Sequence, residues 1–189
     1  VMKDAQHKLS KRNGDASFQD LVAKGYLPEA IINYIALLGW NPGNDEEIFT
    51  LDELKKIFTV ERLNRSPAIF DIVKLTWMNG QYIRKLSDEE FAALAMPYIE
   101  KVLSRKVDVA TLCRVLQLRI ETLGDIPGQI DFLENVPEYA NDLYINKKMK
   151  TDVDIAKQTL AYALEALEKT NEWTNDNLFA VLKGVAEEK

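Results

Sequence analysis

Pro28-Glu29-Ala30-Ile31-Ile32-Asn33-Tyr34-Ile35-Ala36-Leu37-Leu38-Gly39 decides the fold class. Ala30, Ile31, Tyr34, Ile35 and Leu38 recur at steps of three and four, the spacing that lines one face of an α-helix. Pro28 stands at the first turn, where its missing N–H has no helical partner to lose, and Gly39 follows the last periodic residue. Similar signals recur along the chain. Thr50-Leu51-Asp52-Glu53 and Ser87-Asp88-Glu89-Glu90 fit the capping box, in which the hydroxyl accepts the third amide and the Glu carboxylate accepts the cap amide. Each predicts a helix start, the second helix running to about Leu103. Asp71 predicts a cap for a helix through Arg84, broken or tightened at Asn79-Gly80, because Gly in a helix interior costs roughly 1 kcal/mol relative to Ala. Asp108 predicts another through about Thr122 that buries Leu112, Val115, Leu116 and Leu123. Pro137 to Tyr144 reads as a short segment, and Asp152 to Lys169 as a long helix with Ile155, Leu160, Ala163, Leu164 and Leu167 on its apolar side. Thr174 caps the last helix. Extended signals are confined to short pieces around Met2 and Leu9. The expected class is all-α.

Composition narrows the chemistry. Of 189 residues, 24 are Lys or Arg and 30 are Asp or Glu, a net charge of −6 that excludes a uniformly basic nucleic-acid coat and leaves room only for local patches. Cys113 and His7 are each the only residue of their kind, so no intramolecular disulfide forms and a four-ligand zinc site cannot be assembled; no metal site is expected. The G-x-S-x-G, P-loop and dinucleotide fingerprints are missing, which removes self-contained hydrolase and nucleotide-fold readings. No apolar run approaches the roughly 20 residues that cross a bilayer, and no signal-peptide core opens the chain, so the expected setting is cytoplasmic and away from membranes. The opening Val1-Met2-Lys3-Asp4 carries no helix-start signal and reads as part of something longer. Composition shifts near Leu86 and Glu134 suggest three segments, 1–86, 87–133 and 134–189, the last with net charge −4 and the first two together −2.

The densest candidate for chemistry is Lys8-Leu9-Ser10-Lys11-Arg12-Asn13-Gly14-Asp15. Two ammonium groups and a guanidinium alternating with small polar residues can surround a polyphosphate; composition alone favours the plainer reading, a solvated basic loop. Lys8 to Arg12 resembles the second signature of class I aminoacyl-tRNA synthetases, in the K-L-S-K-R form of the glutamyl-tRNA synthetases. Further ordered matches follow: Gly25-Tyr26-Leu27-Pro28-Glu29-Ala30, Asn33-Tyr34, Leu37-Leu38-Gly39-Trp40, Glu47-Ile48-Phe49, Phe70-Asp71 with Lys74-Leu75, and Trp77-Met78-Asn79-Gly80-Gln81-Tyr82-Ile83. The resemblance to bacterial glutamyl-tRNA synthetases is dense over 1–86. Beyond that it rests on Arg119, Thr122-Leu123 and Glu172-Trp173-Thr174.

The resemblance implies that 1–86 holds the signature loop and a helical stem-contact domain, 87–133 a first anticodon-binding helical subdomain, and 134–189 a second one, incomplete at its C-terminus. It implies a whole enzyme that joins glutamate to tRNA-Glu through glutamyl-adenylate, using ATP with magnesium. This chain, without the ATP-binding fold, would bind tRNA as a monomer without catalysing and without a bound cofactor. By the motif match Lys11 would stabilise departing pyrophosphate, Lys8 would assist, Ser10 would shape the loop and Arg12 would add positive field. Asn13 departs from the family, where His is more usual. Arg119 falls where the family's anticodon-reading Arg lies, and its planar fork suits a base edge; the plain alternative is a surface Arg paired to Glu121 or Asp125. Trp77 could stack on a base, although a Trp in an apolar helix is more often core, and Lys74 and Arg114 could meet phosphates or simply be solvated. Lys147-Lys148-Met149-Lys150 reads as a phosphate clamp or a soluble face, and Cys113 as a small core residue. Other functions left open are a non-discriminating enzyme that also charges tRNA-Gln and a non-catalytic helical module that binds RNA or protein.

Overall fold

A computed structural model describes residues 1–2, 6–7, 17–64 and 66–188. Among these the fold is all-α, as expected. Nine helices follow in order: α1 Phe18–Ala23, α2 Pro28–Gly39, α3 Leu51–Ile57, α4 Ile72–Lys85, α5 Asp88–Ile99, α6 Val109–Arg119, α7 Ile126–Glu134, α8 Val153–Glu168 and α9 Asn175–Glu188. Short 3-10 turns occupy Val60–Arg62, Leu123–Asp125 and Asn141–Tyr144. Extended pairing among the described residues is limited to isolated bridges, including Met2 with Ile69 near the N-terminus, where a short extended piece was expected. The other such piece, around Leu9, lies outside the described residues.

The chain divides into two compact units, Val1–Val136 and Pro137–Lys189. In the first, α2 packs on α4, and α5 packs on α6 and α7. One core joins Leu27 and Ala30 of the α2 start to Ile83, Phe91, Ala95, Ile99, Leu116, Ile120 and Ile130. A second gathers Leu21, Tyr26, Ile31, Tyr34, Leu75 and Met78, and a third Trp40, Phe49 and Leu54. Burying one such side chain fully is worth about 1.5–3 kcal/mol, more than a helix cap's typical 1 kcal/mol, so packing rather than capping holds α2 and α4 together. Asn33, fully buried, accepts the Phe49 amide at 2.9 Å through Oδ1 and lies 2.7 Å from the Tyr82 hydroxyl, fixing the approach to α3.

The predicted caps form. Thr50, Ser87, Asp71, Asp108 and Asp152 each accept amides of the first turn, and Thr174 accepts the Asn177 amide at 3.4 Å. Other expectations are corrected. The helix opened by Ser87 ends at Ile99 rather than Leu103. Pro97 removes one ladder N–H, and beyond the turn that closes at Leu103 the Ser104 amide turns to Glu134 Oε2 (3.0 Å). The helix opened by Asp108 ends at Arg119 rather than Thr122, because the amides of Glu121 and Thr122 are taken by the Asp125 carboxylate while Glu121 O and the Leu123 amide find Asn79 and Gly25 O across the fold. Leu116, Leu123 and Cys113 are buried and Leu112 packs against the same core, as expected, but Val115 is 47% exposed, and Gln117 and Ile120 are buried beside them. Gly80 does not break α4, which runs through it with Gly80 itself buried. In the second unit Ile155, Leu160 and Leu164 of α8, expected on a buried side, are exposed.

Candidate nucleic-acid interface

The Lys8 to Arg12 loop, with the catalytic and ATP-binding expectations for Lys8, Ser10, Lys11 and Arg12, lies outside the described residues. Its flanks are described. Met2 pairs beside the 68–70 segment, its amide donating to Ala68 O at 2.8 Å and its carbonyl accepting the Phe70 amide at 2.8 Å. On the other side Ser17 and Asp20 form a reciprocal capping box that starts α1.

Helix α4 presents Lys74 and Trp77, three residues apart and therefore neighbours on one face. Lys74 Nζ pairs with Glu47 Oε1, which neutralises part of its field. Trp77, for which a core position is the more ordinary expectation, is 45% exposed and offers its ring to solvent. Helix α6 turns Arg114, Val115, Leu118 and Arg119 outward together, Leu118 being 73% exposed. Arg114 Nη2 donates to Thr111 Oγ1 at 3.1 Å. Thr111 in turn bonds the Asp108 carboxylate, and that pair holds the Asp108 carboxyl below its usual range.

Arg119 occupies the last turn of α6, where a cation also complements the helix dipole. The carboxylates that could have paired with it are engaged elsewhere. Glu121 faces Arg84 at 3.2 Å, and Asp125 Oδ2 accepts the amides of Glu121 (3.1 Å) and Thr122 (2.7 Å). Among the described residues no carboxylate forms an ion pair with Arg119, so its fork of donors is open to a ligand.

The ground beneath Arg119 is rigid for reasons that sequence reasoning missed. Asn79, fully buried, accepts the Leu27 amide at 2.7 Å and donates to Glu121 O at 2.5 Å, bridging the start of α2 to the segment after Arg119. The Leu123 amide donates to Gly25 O at 3.0 Å. The two backbones cross so closely that a Cβ at Gly25, whose φ is +92°, would stand 2.2 Å from Gly124 N, and one at Gly124 would stand 2.3 Å from Lys24 O. A Cβ on Gly80 would meet Glu121 Oε2 at 1.5 Å. Gln117 completes the tie by donating to Ile83 O and Leu86 O, both at 2.9 Å. The signal present in the sequence was Asn79-Gly80, but it suggested a local break in the helix rather than a long-range partner. Among the described residues no group of three or more His, Cys, Asp or Glu side chains is placed to hold a metal ion.

Residues 1–77 match the family profile of the class I tRNA synthetase (E and Q) catalytic domain, and residues 90–189 that of the anticodon binding domain. The chain is 53% identical to a glutamate–tRNA ligase of Clostridium kluyveri over 94% of its own length and 37% of that ligase. It is 50% identical to one from Clostridium botulinum over 100% of its length and 39% of the ligase. It thus spans less than two fifths of these relatives. The fold also superposes on the crystal structure of a glutamate tRNA ligase from Elizabethkingia meningosepticum in complex with its amino acid, with a TM-score of 0.81 at 23% identity, covering 100% of this chain and 40% of that one. With both profiles matched and half of its residues shared with these ligases across almost its whole length, the chain belongs to the glutamyl-tRNA synthetase family of class I aminoacyl-tRNA synthetases.

Proposed function

We propose that this chain is the tRNA-recognising part of a glutamate–tRNA ligase, binding tRNA-Glu in the cytoplasm as a monomer, and that the outward face of α6 reads the anticodon through Arg119. The observation that carries the reading is an arginine with no ion-pair partner among the described residues, at the end of a helix tied to α4 by Gln117 and by Asn79, which also holds the Leu27 amide at the start of α2. Arg119 contributes a bidentate donor fork, Arg114 and Lys74 contribute phosphate contacts, and the exposed Trp77 ring contributes a stacking surface. Residues 1–86, 87–133 and 134–189 then correspond to loop plus stem contact, first anticodon subdomain and second anticodon subdomain.

In the whole ligase, ATP is the activating substrate, and magnesium supplies charge neutralisation on its phosphates when bound. Lys11 stabilises the pyrophosphate as it departs, Lys8 adds a second positive charge, Arg12 strengthens the field and Ser10 shapes the loop by hydrogen bonding. The test is binding of this chain to tRNA-Glu and to an anticodon-swapped copy across salt concentration. Tighter binding of the native anticodon, weakening as salt rises, is expected. Equal binding of the two would restrict this chain to phosphate contact, and no binding of either would leave a protein-binding helical module.

A further inference from the structure

The unit Pro137–Lys189 has its own candidate contact surface, which the anticodon reading through Arg119 does not use. The rings of Tyr139 and Tyr144 meet edge to face with centroids 5.9 Å apart, and the Tyr144 hydroxyl donates to that of Tyr139 at 2.8 Å. Tyr139 is nevertheless 51% exposed. The pair borders a cleft of about 210 Å³ that is lined also by Asn141 and, from α8, by Val153, Ala156, Lys157 and Leu160.

Immediately after Tyr144 the chain makes a closed turn. Asn146 and Thr151 exchange both backbone hydrogen bonds at 3.1 Å, and Asn146 Oδ1 accepts the amides of Lys148 (3.0 Å) and Met149 (3.2 Å). Lys150 sits at φ +54°, a left-handed conformation uncommon for a lysine. Lys147, Lys148 and Lys150 thus project from a backbone held by these hydrogen bonds rather than from a loose run. Chain reach puts Lys147 within about 11 Å of Tyr144. Among the described residues no carboxylate pairs with these three lysines or with Lys157, and Asp152 is turned into the α8 start, where it accepts the Ile155 amide at 2.8 Å. In a unit with more carboxylates than cations, this is a local positive ridge beside an open aromatic cleft.

We propose that Tyr139 and Tyr144 receive an unstacked RNA base in this cleft while the Lys147 to Lys150 turn and Lys157 hold the adjoining phosphates. The combination suits single-stranded nucleic acid: an aromatic face for a base, with Lys157 on the cleft lining and three further ammonium groups on the turn that directly follows Tyr144 for phosphates. A purely lipid- or polyanion-binding ridge would have no use for the cleft. The proposal rests on the tRNA-binding reading above.

The test titrates the chain with a tRNA-Glu transcript across salt. Replacing the three lysines together, Lys147→Gln, Lys148→Gln and Lys150→Gln, should flatten the log–log salt dependence by about two to three, at roughly 0.7–0.9 for each phosphate no longer neutralised. Tyr139→Ala should weaken binding about fivefold or more at every salt without changing that slope, and Tyr139→Phe should behave as the parent. Circular dichroism of each variant checks that its helices persist. A parent that binds tRNA and variants that match it would overturn this site while leaving the tRNA reading intact. A flatter slope with no effect of Tyr139→Ala would overturn the base contact. A parent that ignores tRNA but binds anionic phospholipid vesicles through the lysines would overturn both readings.

Discussion

Asn79 and Arg119 show how differently two polar residues can be used. The Asn79 amide is fully buried and engages one backbone group at each end, so the surrounding structure, not solvent, determines its position. Arg119 is exposed and, among the described residues, without an ion-pair partner, the arrangement expected of a side chain kept for a ligand. From this assignment Arg119→Gln is expected to reduce the chain's preference for a glutamate over a glutamine anticodon by about 1–3 kcal/mol, the worth of one good bidentate base contact. The ratio of the two dissociation constants measures it, and an unchanged ratio would remove Arg119 from base reading. Cys113 was legible in the sequence as a small core residue: it is buried, and burial raises its thiol pKa above the ordinary value. Asn79 was not legible, because its partners Leu27 and Glu121 lie 52 and 42 residues away and nothing local announces them.

Helix starts were the most legible elements, since a capping box is complete within four residues. Their chemistry also sets a pH dependence. The amide and hydroxyl of Thr50 hold the Glu53 carboxyl below its ordinary value, the hydroxyl and amide of Ser104 do the same for Glu134, and those of Thr111 for Asp108. Each folded value is depressed, so each contributes stability that is fully present above the ordinary values, 4.5 for Glu and 3.8 for Asp, and is lost as pH falls through the lowered folded values. Thermal unfolding followed from neutral pH into the acid range should show Tm declining below about pH 4.5, and a Glu53→Gln, Glu134→Gln double variant should decline less steeply. A decline of the same slope in both proteins would assign acid sensitivity to other carboxylates. Helix ends were less legible than starts. That of α6 is decided by Gly25, Asn79 and Asp125, which capture the backbone after Ile120.

Across the whole molecule the two units differ in how they are held. Every residue that is buried among those described belongs to Val1–Val136, while Pro137–Lys189 keeps Leu143, Leu164, Trp173 and Phe179 on its surface. Native-state hydrogen exchange should therefore find the slowest amides in α2, α4, α5 and α6, and markedly faster exchange throughout α8 and α9, since local opening follows the density of buried contacts. Equal protection in both units would mean that α8 and α9 gain cover from a further partner. The sequence by itself determined the all-α class, the starts of α2 to α6, α8 and α9, and the family, because caps, 3.6-residue periodicity and the ordered motifs from Lys8 to Ile83 are local in the chain; the starts of α1 at Ser17 and of α7 at Ile126 escaped it. Only the tertiary structure decided that α6 buries Gln117 and leaves Val115 exposed, that Gly80 admits Glu121 beside Arg84 instead of breaking α4, and that Gly25 and Gly124 let two backbones touch. Those outcomes depend on groups distant in sequence meeting at van der Waals distance, a condition that no periodicity or local propensity encodes.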